Sequence, residues 1–325
     1  MSAGIETNDK IVSVEKCWHG LETIEREIVF ANSGLDWTVV SKPVYFDLDR
    51  PAIPNYQAIV REDKGIVLNV PKSSYSIIQN ERVWQALEES LKGVDYQVVT
   101  TGSLGDCRRI FISIVLKQAQ SYMVNREQFK NHITFVSSHD GTMAFEAYDC
   151  STRVVCQNTL NMSQREKGKL NLKVYHCANH EFKISEMEQE IETLLAKRDE
   201  FYKSYEYLAT RPMSMERANK VLHGVLVRGD EISAQSKNTV NSILSKFTNG
   251  MGNKGTTFAD LLNGFTEHYT HSISKKNSFA TFNSSEFGLA SQKKAEFFDI
   301  LMDDAQINKL AKRGETLLAS AMATA

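Results

Sequence analysis

Two histidine pairs are the residues of this chain best placed by type and spacing to do chemistry: His176-Cys-Ala-Asn-His180 and His268-Tyr-Thr-His271. Imidazoles at this spacing invite zinc, but closed structural sites take four ligands and catalytic sites three plus water. Neither pair comes with a cysteine pair or a His-Glu-x-x-His pattern, and His176 falls where a strand gives way to a turn, so surface or core histidines are the better reading. Cys156 with His139 or His176 is a conceivable thiol nucleophile, because such partners become adjacent only in the fold. It stands in Val154-Val-Cys156, an apolar run where a buried inert thiol is the default. The loop Asn249-Gly-Met-Gly-Asn-Lys-Gly255 could cradle phosphate through its backbone. It lacks the Gly-Lys-Ser/Thr ending of a P-loop and follows no strand pattern, so it reads as a linker between helices. No paired carboxylates, Ser-His-Asp set or dinucleotide fingerprint occurs. These patterns assign no catalytic residue, no metal ligand and no cofactor, and they lean away from an enzyme.

Nucleic-acid binding has more support. The formal net charge is −2, which excludes a uniformly basic protein. Regionally, residues 1–100 carry 10 basic and 15 acidic groups, residues 101–180 carry 10 and 6, and residues 181–325 carry 18 and 19. Within the middle block Arg153, Arg165, Lys167, Lys169 and Lys173 face only Glu166 among acids, a local basic strip. Aromatics interleave with these cations: Phe111, Tyr122, Phe129, Phe135, Phe145 and Tyr148. Phosphates want the cations and unstacked bases want the rings. Arg108, Arg109, Arg153, Lys167, Lys169 and Lys173 are the candidate phosphate contacts, and Tyr148 is the candidate exposed stacking ring. The bland alternative is that alternating strands always carry aromatics inside and charges outside.

The elements that must position these groups follow from periodicity. Tyr56–Arg61 and Ile66–Val70 flank Glu62-Asp-Lys-Gly65 and predict a hairpin. Ile77, Val83, Trp84, Leu87 and Leu91 recur at helical spacing, with Gly93 as a stop. Tyr96–Thr101, Ile110–Leu116, His132–Ser138, Thr142–Tyr148 and Arg153–Gln157 are short, β-branched and aromatic. Their connections are too short for crossover helices, so antiparallel pairing is expected, and Asp140-Gly141 is a hairpin turn signal. From about residue 183 the period lengthens. Ile184, Met187, Ile191, Leu194, Arg198, Phe201, Tyr205 and Leu208 form a seam along a long helix that must stop before Arg211-Pro212. Such a seam serves an intramolecular core more often than a coiled coil, with oligomer contact as the other reading. Met215–Val227, Gln235–Phe247, Phe258–Thr270 and Phe297–Ala323 complete a helical half. The expected fold is α+β: a β-rich domain with a packed helix over 1–182, then a helical domain over 183–325. The longest apolar run, Ile110–Leu116, is too short to span a bilayer. The first residues lack a secretory pattern, and five cysteines without a CxxC pair suit reduced thiols, so a cytoplasmic location is expected.

Six blocks, in order, carry a family likeness: Cys17-Trp-His-Gly-Leu21, Gly34-Leu-Asp-Trp-Thr-Val39, Tyr75-Ser-Ile-Ile-Gln-Asn80, Ser137-Ser-His-Asp-Gly141, Arg153-Val-Val-Cys-Gln-Asn-Thr-Leu160 and Leu261-Leu-Asn-Gly-Phe-Thr-Glu-His-Tyr-Thr-His271. Together they resemble the phage/plasmid-like proteins of domain of unknown function 932, over roughly residues 17–300. His176-Cys-Ala-Asn-His180 departs from the His-Thr-Gly-Asn pattern more usual there. The resemblance implies a phage- or plasmid-encoded protein acting in bacterial cytoplasm. The order hairpin, helix, antiparallel strands also resembles the core of single-strand annealing recombinases of the Red-beta and RecT type, a fold analogy only. Such proteins form rings or filaments around single-stranded DNA without a nucleotide cofactor. The leading expectation is thus a DNA-metabolism protein that binds, and can anneal, single-stranded DNA as a homo-oligomer. The alternatives are a phage factor that binds and modulates a host protein, and an enzyme with a site among Ser138-His-Asp-Gly141, Arg153, Asn158 and His271.

Overall fold

The computed structural model describes residues 5–6, 11–12, 28–47, 51–104, 106–116, 121–124, 127–153, 158–161, 173–196, 198–272, 284–285 and 288–323. The strands are β1 (Ile5–Glu6), β2 (Ile11–Val12), β3 (Val39–Tyr45), β4 (Ala52–Arg61), β5 (Ile66–Asn69), β6 (Tyr96–Leu104), β7 (Arg109–Leu116), β8 (Ser121–Val124), β9 (Glu127–Ser138), β10 (Phe145–Arg153), β11 (Asn158–Asn161) and β12 (Lys173–Val174). Helix α1 (Asn80–Ser90) lies between β5 and β6. After β12 come α2 (His180–Ala196), α3 (Arg198–Thr210), α4 (Met215–Leu226), α5 (Ala234–Asn249), α6 (Phe258–Glu267), α7 (Leu289–Met302) and α8 (Asp304–Ala323). The antiparallel β-rich first half and mainly helical second half make this an α+β protein.

The large sheet runs in the order β11-β10-β9-β7-β6-β1-β2, with β12 paired to β10 and β8 to β9; β3-β4-β5 form a separate small sheet. The expected hairpin joins β4 to β5: Arg61 faces Ile66, and Gly65 supplies the left-handed turn residue at φ 64°. The described pairings are antiparallel, as the short connections require. Helix α1 starts at Asn80, three residues later than the apolar spacing alone suggests. It ends in a turn closed by Gly93 at φ 83°.

Strands β6, β7, β9 and β10 are buried on both faces through most of their length, although antiparallel sheets often leave one face wet. On one face, Ile110, Ile112, Ile114, Ile133, Phe135, Phe145 and Ala147 pack with Val83, Trp84 and Leu87 of α1 and with Ile184, Met187 and Ile191 of α2. A second core gathers Phe201, Tyr202, Tyr205 and Leu208 of α3 with α4–α8, and includes Val124 and Phe129 of β8 and β9. The predicted seam is therefore internal, shared between two cores, so its buried residues are not the surface of an oligomer. Leu194 lies outside the described side chains. Helix α3 ends at Thr210, ahead of Arg211-Pro212.

Strand β9 runs through both cores. Between its Ile133 and Phe129 stands a polar knot: the Tyr202 hydroxyl meets Asn131 Oδ1, and Arg198 forms a buried ion pair with Asp149 of β10. Burial outweighs Arg198 in setting Asp149, whose carboxyl sits above its usual range. His132 faces away from the knot, fully buried and pushed down to about 4 by burial and by the Arg198 charge. In the helical half, α4 and α8 cross at glycines: a methyl on Gly314 would lie 1.8 Å from the Lys220 carbonyl oxygen.

Candidate functional site

Asn80, the first residue of α1, is fully buried, and its side-chain Nδ2 donates to the carbonyls of Leu35 (3.0 Å) and Trp37 (3.1 Å). Those carbonyls can only accept, so the amide group faces them and Oδ1 is left as an acceptor. Its partner is Nε2 of His139 at 2.8 Å, which must therefore carry the proton. Gln79 reinforces the same junction by bonding both the N–H and the C=O of Val39. The Trp37 ring meets His139 edge-on at 5.4 Å and carries the Arg61 guanidinium on its face at 4.4 Å. The segment 34–39, the start of α1 and the end of β9 are thus locked around one imidazole.

A second imidazole stands beside it. Tyr75 donates its hydroxyl to the Ser138 carbonyl (3.0 Å) and stacks flat on His176, at 4.9 Å and 6°. His176 Nδ1 lies 3.1 Å from the Ser76 carbonyl, and only a protonated nitrogen can bond there; the Ser76 amide returns a bond to His176 O. In both rings the other nitrogen, His139 Nδ1 and His176 Nε2, is buried without a hydrogen-bond partner. Burial and the neighbouring His176 ring push His139 down to about 3, while burial holds His176 at about 4 against the Ser76 carbonyl. Both are neutral at physiological pH. Asp140 acts electrostatically on both rings and on Tyr75, which burial raises above the usual phenol range.

The connection after β9 is longer than a two-residue Asp-Gly hairpin. Asp140 Oδ1 accepts from the backbone and hydroxyl of Thr142, Gly141 turns at φ 71°, and β10 begins only at Phe145. Arg109 spans this turn, bonding Thr142 Oγ1 at 2.7 and 3.0 Å and lying 3.7 Å from Asp140.

The residues expected to touch DNA divide into three groups. Arg108 is exposed in the β6–β7 turn and Arg109 is partly buried beside Asp140. Lys173 is 45% exposed, pairs with Glu146 at 3.0 Å and reaches over the Tyr175 ring at 5.2 Å. Lys167 and Lys169 lie outside the described residues, as does Cys156; Arg153 closes β10, with its side chain likewise outside. Tyr148 is a correction. It is 4% exposed, and its hydroxyl donates to Glu146, because β10 is covered on both faces and alternation gives it no wet side. Among the exposed rings, Tyr175 and Phe182, each 65% exposed, stand on either side of the His176–His180 turn, while Tyr45, Phe46, Tyr56 and Tyr207 are exposed elsewhere. Lys183 stands 5.5 Å over the Phe182 ring, as Lys173 does over Tyr175. Both were legible as cation–ring neighbours in sequence; exposure was not.

The remaining sequence candidates resolve physically. Asp260 fills the concavity of the glycine loop, accepting from the amides of Lys254, Thr256 and Thr257 at 3.0–3.2 Å. The chain's own carboxylate occupies the place a phosphate would take. His268 bonds Ser242 and is pushed down to about 4, while His271 is exposed. Among the described residues, no group of three or more His, Cys, Asp or Glu side chains is placed to hold a metal ion. No helix among them is long and apolar enough to cross a membrane.

Three of the six likeness-bearing blocks, 34–39, 75–80 and 137–141, thus meet at the two imidazoles. No curated protein and no solved structure matches the chain. The family model described as domain of unknown function (DUF932) matches residues 67–296, which is well over half of the sequence, and the chain belongs to that family.

Proposed function

We propose that this chain is a mobile-element DNA-metabolism protein, of phage or plasmid origin, that binds single-stranded DNA as an oligomer and anneals it. One observation carries the reading: two large aromatic rings, Tyr175 and Phe182, are held out in solvent beside the Tyr75–His176 stack, each with a lysine ammonium over its face. Exposed rings offer stacking platforms to unpaired bases, and the two ammonium groups, which pair with Glu146 and Glu186 in the free chain, would exchange those carboxylates for phosphates. Arg108, exposed in the β6–β7 turn, is a further cation, and its carbonyl accepts from the His139 amide at 2.7 Å. Nothing in this arrangement calls for a nucleotide cofactor.

Fluorescence anisotropy with a long labelled oligonucleotide tests it. Binding should fall steeply with salt. Tyr175→Ala and Phe182→Ala should each cost about 1–3 kcal/mol, roughly 5- to 150-fold in affinity. Lys183→Glu should weaken binding and flatten the salt slope, whereas Tyr148→Phe should change neither. Light scattering of the free protein reports the oligomer. Absence of any anisotropy change at low salt overturns the reading.

A further inference from the structure

The two edges of the small β3-β4-β5 sheet are built differently. An edge strand turns every second N–H and C=O away from its sheet, and natural proteins blunt that edge with lysine or proline. Edge β3 has both, as Lys42 and Pro43. Edge β5 has neither: it reads Ile66-Val-Leu-Asn69, and among the described residues no strand pairs with its outer side. The chain stays extended beyond it, with Lys72 bridging Tyr56. Directly opposed residues share a face, so the pairs Val40–Val60 and Val60–Val67 make one row of valines across the three strands. Val60 is buried at 4%, but the row stops at the edge with Val67 50% exposed.

We infer that β5 pairs antiparallel with β5 of a second copy of this chain, joining the two small sheets into one of six strands. A two-fold axis through an antiparallel pair must set one residue against its own copy. Centred on Leu68, the pairing would oppose Lys64 to the partner's Lys72, a like-charge contact, and Leu68 itself is turned into the core. Centred on Val67, it sets Lys64 against an apolar Val70 and carries Lys72 past the partner's Asp63, which is 48% exposed. The valine row then runs unbroken through both copies and covers the exposed Val67. A shift of register between Val67 and Asn69 bulges β5 at Leu68, so the shared ladder is short and the contact is a weak one, formed at high protein concentration. The inference deepens the oligomer proposed above and rests on that reading for the expectation that copies associate; the place of contact rests on the edge itself.

The test is sedimentation velocity of the full chain, without DNA, over a series of concentrations. The native chain should associate as concentration rises. Val67→Lys and Val67→Glu should each weaken association by at least about tenfold, because each sets like charges against one another across the axis. An equimolar mixture of the two should recover it, since only at the axis does a residue meet its own copy. Lys42→Glu on the opposite edge should change nothing. Where a charged variant loses its circular-dichroism spectrum, Val67→Cys decides: mild oxidation should cross-link it to its own copy, as directly opposed strand residues permit, and should not cross-link Lys42→Cys. Association that persists in both charged variants, or a mixture no better than either alone, overturns this contact and leaves the oligomer to another surface. A native chain that stays monomeric overturns it too and leaves the edge to an extended segment of a different protein; DNA binding is judged separately by the anisotropy measurement.

Discussion

Replacing Asn80 by alanine should be among the most damaging single changes in the β-rich half. The side chain satisfies three buried groups at once: the carbonyls of Leu35 and Trp37 and the Nε2 proton of His139. Alanine leaves all three unpaired, and His139 then has two unpartnered nitrogens whichever one keeps the proton. At roughly 1–3 kcal/mol per orphaned buried group, and with water entering the void to satisfy part of the deficit, the loss is roughly 3–6 kcal/mol. Urea unfolding followed by tryptophan emission suits the question, since Trp37 contacts His139 directly and Trp84 sits in the same core. The midpoint should fall with little change in slope. Asn80→Asp keeps the acceptor for His139 but loses both donors and buries a charge, so it should be no better than alanine at neutral pH. A loss under about 1 kcal/mol for Asn80→Ala would mean the junction is wet, and would refute the tautomer assigned to His139.

Three further outcomes follow from the packing and the titration of buried groups. Asp260→Ala removes both a helix cap and the anion of the glycine loop, and should cost about 1–2 kcal/mol in thermal unfolding; added sulfate should raise the melting temperature of this variant and not of the native chain. Gly314→Ala places a methyl 1.8 Å from a backbone oxygen that cannot swing aside, so α4 and α8 must separate, and denaturant melts should show a loss of about 3 kcal/mol or more. His132 has its pKa lowered from 6.5 to about 4 in the native state, so on acidification the unfolded chain takes up a proton that the folded chain refuses. Stability should therefore fall as pH drops from 6.5 towards 4, by up to about 1.4 kcal/mol per pH unit from this residue alone, and then level off. His132→Gln should flatten that slope.

Local patterns were readable because local physics makes them. Gly65 closes its hairpin, Pro212 follows the end of α3, and the described members of the seam from Ile184 to Leu208 face inward. Tyr148 was misplaced for a reason of the same kind: alternation identifies opposite faces of a strand but cannot say that both are covered. The Asp-Gly signal gave a turn in the right place, and the Asp140 side chain lengthened it by engaging Thr142. The two-imidazole site was not legible at all. Asn80 is 59 positions from His139 and Ser76 is 100 from His176, and an orphaned lone pair is defined only by what fails to reach it. The likeness-bearing blocks held a hint, since three of them converge there, but order along a chain carries no distance.

Strand β9 sets how far this chain can be divided. Its 12 residues span roughly 40 Å at ~3.3 Å each, enough to wall both cores in turn. A fragment beginning near residue 183 would leave behind Val124 and Phe129, which line the helical core, and would bring Arg198 and Tyr202 without Asp149 and Asn131. Its exposed helix face would be sticky and its buried arginine stranded. The first half cut at the same point would lose Ile184, Met187 and Ile191 from beneath its sheet. Limited proteolysis should accordingly yield pieces that stay associated under native conditions, and neither half offers a self-sufficient module for transplantation.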